Sequence, residues 1–156
     1  MSQVFARGVI EHGITGATIV NVSSVVFKLF LFILYDVVQN FDFQGDRKCT
    51  AGMGTYSCSK AALIMLTKCM ALELGPFGIR VNAIRPTAME TQMWDAFKSL
   101  PGIDFEVMSK DAFSRAVIQR PLLPSEAADL VVFLSSTKSS MMTGADVPID
   151  GGISLA

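Results

Sequence analysis

Apolar positions along the chain come in short blocks set apart by glycine, proline and polar turns. Val4, Phe5, Val9 and Ile10 recur at helical spacing and predict the end of an amphipathic helix over residues 2–12, with Gly13 placed to stop it. Residues 17–23, ATIVNVS, are short, β-branched and preceded by glycine, the pattern of a buried strand. Residues 56–74, YSCSKAALIMLTKCMALEL, hold neither Gly nor Pro and predict a helix ended by Gly75 and Pro76. A second strand is predicted over 79–85, IRVNAIR, stopped by Pro86. Ser125 is placed to cap a helix over SEAADLVVFLSS, with Glu126 and Asp129 near its positive end. Residues 146–150 read as a short last strand before Gly151 and Gly152. Strands alternating with helices predict an α/β fold, a parallel sheet covered on both faces.

One block breaks this pattern. Residues 23–38 read SSVVFKLFLFILYDVV, and their longest apolar run, from Leu29 to Tyr35, is seven residues bounded by Lys28 and Asp36. A spanning helix needs about 18 to 20 predominantly apolar residues. Even 25–38, charges tolerated, is only fourteen, so no membrane span is expected.

Length and composition narrow the picture. A chain of 156 residues suits one domain, and 51% hydrophobic against 17% charged residues is apolar-rich but not disordered. A net charge of -1 without a Lys/Arg cluster gives no sign of a nucleic-acid partner. Cys49, Cys58 and Cys69 form no CxxC pair and leave an odd count, which points to a reducing, cytoplasmic compartment. Arg7, Glu11 and His12 stand where a signal peptide needs an apolar core. His12, the sole histidine, reads as a surface residue near a helix end, and Cys58 as a packed thiol.

The candidate chemistry lies at the start of the 56–74 helix. Tyr56 and Lys60, four apart, share one helix face. A tyrosine with its ordinary pKa of about 10 moves protons poorly at neutral pH. A nearby ammonium favours the phenolate and lowers that value, as a general acid requires. YxxxK alone is weak, because a helix-start tyrosine and a solvated lysine give the same string.

Its company is specific. Upstream, a strand ends in Asn21-Val22-Ser23-Ser24; downstream come ALELGPFGIRVNAIRPT leading to Thr91, and TGADVPIDGG near the end. In order and in nearly every motif, residues 1–24 and 45–156 resemble the second half of the short-chain dehydrogenase/reductase family. The string looks most like its L-xylulose (dicarbonyl) reductase and carbonyl reductase branch. The resemblance implies the C-terminal part of a doubly wound, Rossmann-like parallel-sheet domain. It implies reduction of a small sugar or dicarbonyl with NADP, as NADPH, and a homo-oligomer, dimer or tetramer. Tyr56 is then the proton donor, Lys60 tunes it and holds the nicotinamide ribose, and Ser24 hydrogen-bonds the substrate carbonyl. A strand-end cap is the other reading of Ser24. Ile84, Pro86, Thr87 and Thr91 match the stretch that wraps the nicotinamide, with Thr87 where the family has glycine. Asn82 reads as structural, and Trp94 falls in the family's substrate-loop region.

Two departures qualify the resemblance. The 156 residues contain no glycine-rich turn for the pyrophosphate, and the opening MSQVFARG resembles the end of the family's fourth helix. The family's catalytic asparagine also lies upstream of that point. Residues 1–156 therefore read as a partial domain in which the reductase activity is expected to be impaired, and a non-catalytic fragment or dimerising remnant is the alternative to an enzyme. In addition, Tyr56 stands 32 residues after Ser24, where the family's spacing is well under half of that. The excess coincides with residues 25–44, which read as an atypical apolar insertion at the catalytic loop.

Overall fold

The computed structural model describes residues 1–23, 54–92, 105–114 and 116–155. Along them run α1 (Ser2–Glu11), β1 (Thr18–Val22), α2 (Gly54–Leu74), β2 (Arg80–Pro86), α3 (Phe105–Ser114), α4 (Pro124–Ser135) and β3 (Asp146–Ile149). Short 3-10 turns occupy Gly75–Phe77, Thr137–Ser139 and Ile153–Leu155. The strands form one parallel sheet in the order β1-β2-β3. Thr18 lies level with Arg80 and Val22 with Ile84; across β2, Ala83 lies level with Asp146 and Pro86 with Ile149.

The middle strand, β2, is buried from Val81 to Pro86. A strand covered on both faces usually reads as a continuous apolar run. Asn82 and Arg85 interrupt this one, and both are paired. Asn82 donates to the Met142 carbonyl at 2.9 Å and accepts the Ala145 amide at 3.1 Å, which fixes the turn entering β3. Arg85 Nε donates to Asp146 Oδ1 at 2.7 Å. The structural reading of Asn82 holds.

Side chains alternate across a strand, so Val81 and Ala83 face one helix layer while Arg80 and Asn82 face the other. On the first face Ala6 and Val9 of α1, Ala71 of α2, Ile79 and Val81 form a buried cluster, with Ile19, Met70 and Leu74 packed against it. On the second face α4 packs against β1 and β2 and buries Leu134 completely. There the Arg80 guanidinium donates to the carbonyls of Ser136, Ser139 and Met142 at 3.1, 3.0 and 3.2 Å. A cation at those positions satisfies carbonyls that the end of a helix leaves unpaired. The sheet with helices on both faces is thus the one that the alternation of strand and helix predicts.

Local differences have local causes. Pro86 ends β2 from inside. Its missing N–H falls on the side facing β1, beyond Val22, while the next amide, that of Thr87, donates to Ile149 at 3.2 Å. Ser125 is not the cap of α4. Pro124 occupies the first turn, and the Glu126 carboxylate reaches back to accept the Leu123 amide at 2.9 Å. Cys58 is exposed rather than packed, as is Cys69, because positions 58, 65, 69 and 72 follow one another on the face of α2 turned from the sheet. The sequence reading does not assign α3, which buries Phe113. His12 lies exposed at the end of α1, with Nδ1 2.8 Å from the Gly8 carbonyl.

Candidate functional site

Parallel sheets of this kind bind ligands outside the carboxyl ends of their strands. Here those ends are Val22 and Ser23, Pro86 and Thr87, and Ile149 and Asp150, all opening on the same side. The sequence places Lys60 there through α2, which three side-chain contacts hold against β1. Asn21 Nδ2 donates to Thr67 Oγ1 at 2.9 Å, and Thr67 in turn donates to the Leu63 carbonyl at 2.8 Å. Ser23, almost fully buried, donates from Oγ to the Lys60 carbonyl at 3.3 Å. Lys60 Nζ donates back to the Val22 carbonyl at 3.2 Å. The ammonium is thereby anchored at the mouth of β1. Partial burial holds its pKa below the usual lysine value, since desolvation disfavours the charged form.

Tyr56 stands one turn ahead of Lys60 in α2; its backbone is part of the helix, and its side chain lies outside the described residues. Ser24, Cys49, Trp94 and the whole of 25–44 also lie outside them. Ile84 is fully buried in mid-strand, and its carbonyl accepts the Ser23 amide at 2.9 Å. Pro86 and Thr87 lie at the carboxyl end of β2, and Thr91 is half-buried in the loop that follows. That loop is fastened to the entry of α4. The Leu122 amide donates to Ala88 and the Glu90 amide to Leu122, each at 3.0 Å, around a Met89–Leu122 bridge. The structure therefore brings Lys60, Pro86, Thr87 and Thr91 to one edge and leaves Ile84 behind them in the core.

Two contributors escape sequence reasoning, and a third is legible only as a motif. Ser23, adjacent to Ser24, meets the helix carrying Lys60. Thr67 is a polar residue in an apolar helix, and only the strand it faces explains it. The double glycine after Asp150, visible as a motif, packs under residues 117 and 118. Among the described residues no group of His, Cys, Asp and Glu is arranged to hold a metal ion, and no helix is long and apolar enough to cross a membrane.

Comparison with known proteins agrees with this fold. Residues 37–154 match the family model described as Enoyl-(Acyl carrier protein) reductase. The chain is 38% identical over 157 aligned residues to an L-xylulose reductase from Mesocricetus auratus, an alignment covering 97% of this chain and 52% of that one. It is 32% identical over 152 residues to carbonyl reductase [NADPH] 2 from Sus scrofa, again covering 97% and 52%. The crystal structure of an acetoin dehydrogenase from Salmonella typhimurium superposes with a TM-score of 0.70 at 30% identity, covering 99% of this chain and 49% of that one. The chain spans about half the length of the curated relatives it matches.

Proposed function

The chain belongs to the short-chain dehydrogenase/reductase family, and on that footing we propose that it carries the proton-donating half of an NADPH-dependent reductase of small sugars or dicarbonyls. The observation that supports this most is the anchoring of Lys60 at the carboxyl end of β1, one helical turn from Tyr56. Two relatives whose names specify L-xylulose and NADPH-dependent carbonyl reduction point to the substrate class and to the phosphorylated cofactor.

The residues present fit the nicotinamide end of such a cofactor. Lys60 offers a half-buried ammonium at the mouth of the sheet, suited to ribose hydroxyls, and Pro86, Thr87 and Thr91 line the adjoining edge. The 156 residues offer no glycine-rich turn for the pyrophosphate. When bound, the nicotinamide supplies the hydride. The protein's part is positioning and proton delivery. Tyr56 gives a proton to the carbonyl oxygen as that oxygen gains charge. The Lys60 cation stabilises the phenolate left behind and so brings the phenol toward neutral pH. Ser24 donates a hydrogen bond to the same oxygen and orients the carbonyl.

A second reading rests on the missing pyrophosphate turn: residues 1–156 by themselves act as a non-catalytic, dimerising remnant. Kinetics separate the two. Reduction of a small dicarbonyl, followed through NADPH absorbance, is expected to fall about 100-fold or more in Tyr56→Phe, the usual worth of a general acid. Activity unchanged in Tyr56→Phe overturns the proton-donor role, and no reduction in the parent favours the remnant.

A further inference from the structure

The Asp150-Gly151-Gly152 turn is built to a close tolerance. Gly151 and Gly152 both adopt left-handed backbone, with φ of 63° and 84°. A Cβ on Gly151 would stand 2.9 Å from the Ile118 carbonyl oxygen and 3.3 Å from Ile118 Cβ; one on Gly152 would stand 3.0 Å from Val117 Cγ2. Real Cβ atoms do not come as close to backbone as the first of these. Asp150, buried, fixes the turn by accepting the amides of Gly152 at 2.9 Å and Ser154 at 3.2 Å. The Ile118 amide then donates to the Gly151 carbonyl at 2.9 Å. Four residues on, Leu122 is bonded to Ala88 and Glu90. The circuit closes where the Thr87 amide donates to Ile149, next to Asp150.

We propose that this double-glycine turn is a clasp that seats residues 116–122 and, through them, holds the loop from Thr87 to Thr91 in register at the mouth of the sheet. Gly151 is on this view a positioning residue for the cofactor-facing loop, an assignment that rests on the function proposed above. The physical reason is stiffness. Loop 87–91 is tied at Thr87 to β3 and at 88–90 to Leu122, and Leu122 belongs to a segment that the glycine turn secures at its other end, alongside the Ala116 amide bond to the Phe113 carbonyl. A side chain at 151 must lift Ile118, and the displacement is passed to Leu122 and the loop.

The test has two arms on the full chain. Amide hydrogen exchange compares Gly151→Ala with Ile118→Pro, which removes the donor to Gly151 while leaving the glycine in place. The control is Gly16→Ala, which imposes the same left-handed strain (φ 75°) where nothing lies within 4 Å. The first two variants are expected to speed exchange at Leu122 and Glu90 by about tenfold relative to Ala83 in β2, and the control is expected to leave that ratio unchanged. Loss of protection at Ile118 alone in Gly151→Ala, or an equal rise at Ala83 in either variant, overturns the clasp. The second arm is kinetic: Gly151→Ala is expected to raise KM for NADPH about fivefold with kcat within about twofold, the signature of weakened binding rather than weakened chemistry. An unchanged KM in an active protein overturns the positioning role. Absence of reduction in the parent counts against the proposed function, while the exchange arm still decides the clasp.

Discussion

At the scale of single residues, two charged groups near the mouth are held for opposite reasons. Lys60 is displaced from its ordinary pKa by burial, whereas Glu126 is displaced by partners. The Arg120 guanidinium donates to both Glu126 oxygens, at 2.6 and 2.9 Å, and the Leu123 amide adds a third bond, so the carboxyl is lowered to about 2. Its ordinary value is 4.5. A carboxylate lowered on folding stabilises in full above its unfolded pKa and loses that contribution as pH falls through the folded one. The pair is exposed, so its effect is small and screened by salt. Glu126→Gln is expected to flatten the fall in melting temperature between pH 4.5 and about 2, and high salt to shrink the difference from the parent. Parallel melting curves for the two proteins across that range would show the pair to be idle. At this scale the sequence was partly legible. The spacing of Tyr56 and Lys60 exposed a candidate proton donor, because both must share a helix face. The Ser23 hydroxyl bond to α2 was not readable, because it depends on a strand and a helix 37 residues apart.

At the scale of elements, the helices and strands assigned from the sequence have the type assigned to them. α2 begins two residues earlier than its pattern and ends before Gly75, as expected for an unbroken run of helix formers. Gly78 sharpens that ending. It adopts φ 73°, returns its amide to the Gly75 carbonyl at 2.9 Å, and delivers the chain to Ile79 and β2. No atom lies within 4 Å of a Cβ at Gly78 or at Gly75, and only Gly78 has left-handed backbone. The two substitutions therefore separate strain from crowding. Gly78→Ala is expected to destabilise by about 1 to 2 kcal/mol, and Gly75→Ala to be neutral or slightly stabilising through the unfolded chain. Urea midpoints measure both; equal effects would show that conformation at 78 does not matter. α3 was missed although Pro101, Gly102 and Asp104 precede it in the sequence, and Pro86 reads as a stop only if its neighbour strand is assumed to continue. In this sheet β1 ends first, so the proline's missing donor is harmless.

At the scale of the whole molecule, the chain spans 52% of an L-xylulose reductase relative. The parallel sheet with helices on both faces was foreseen from the alternation of strand and helix and from family motifs. Ser24 and residues 25–44 lie outside the described residues, and 25–44 reads from sequence as an insertion. Tyr56 and Ser24 must reach one carbonyl oxygen, within about 2.6 to 3.2 Å of it, for the proposed site to work. The 31 residues between them do not forbid this, since doubling a loop costs only about 0.6 kcal/mol. The stronger threat is the apolar character of 25–44, which favours burial and can draw Ser24 away from Tyr56 or cover the mouth. A graft tests this: the first half of an L-xylulose reductase joined to residues 1–156, with and without the 19 residues 26–44. The shortened chimera is expected to reduce small dicarbonyls and to lose that activity on Tyr56→Phe. The chimera retaining 26–44 is expected to be about tenfold slower or worse, with folding of both checked by circular dichroism, because displacing one member of a positioned set costs one to two orders of magnitude. Equal rates would mean that the segment loops out without disturbing Ser24, and the insertion would then be a passenger on an intact site.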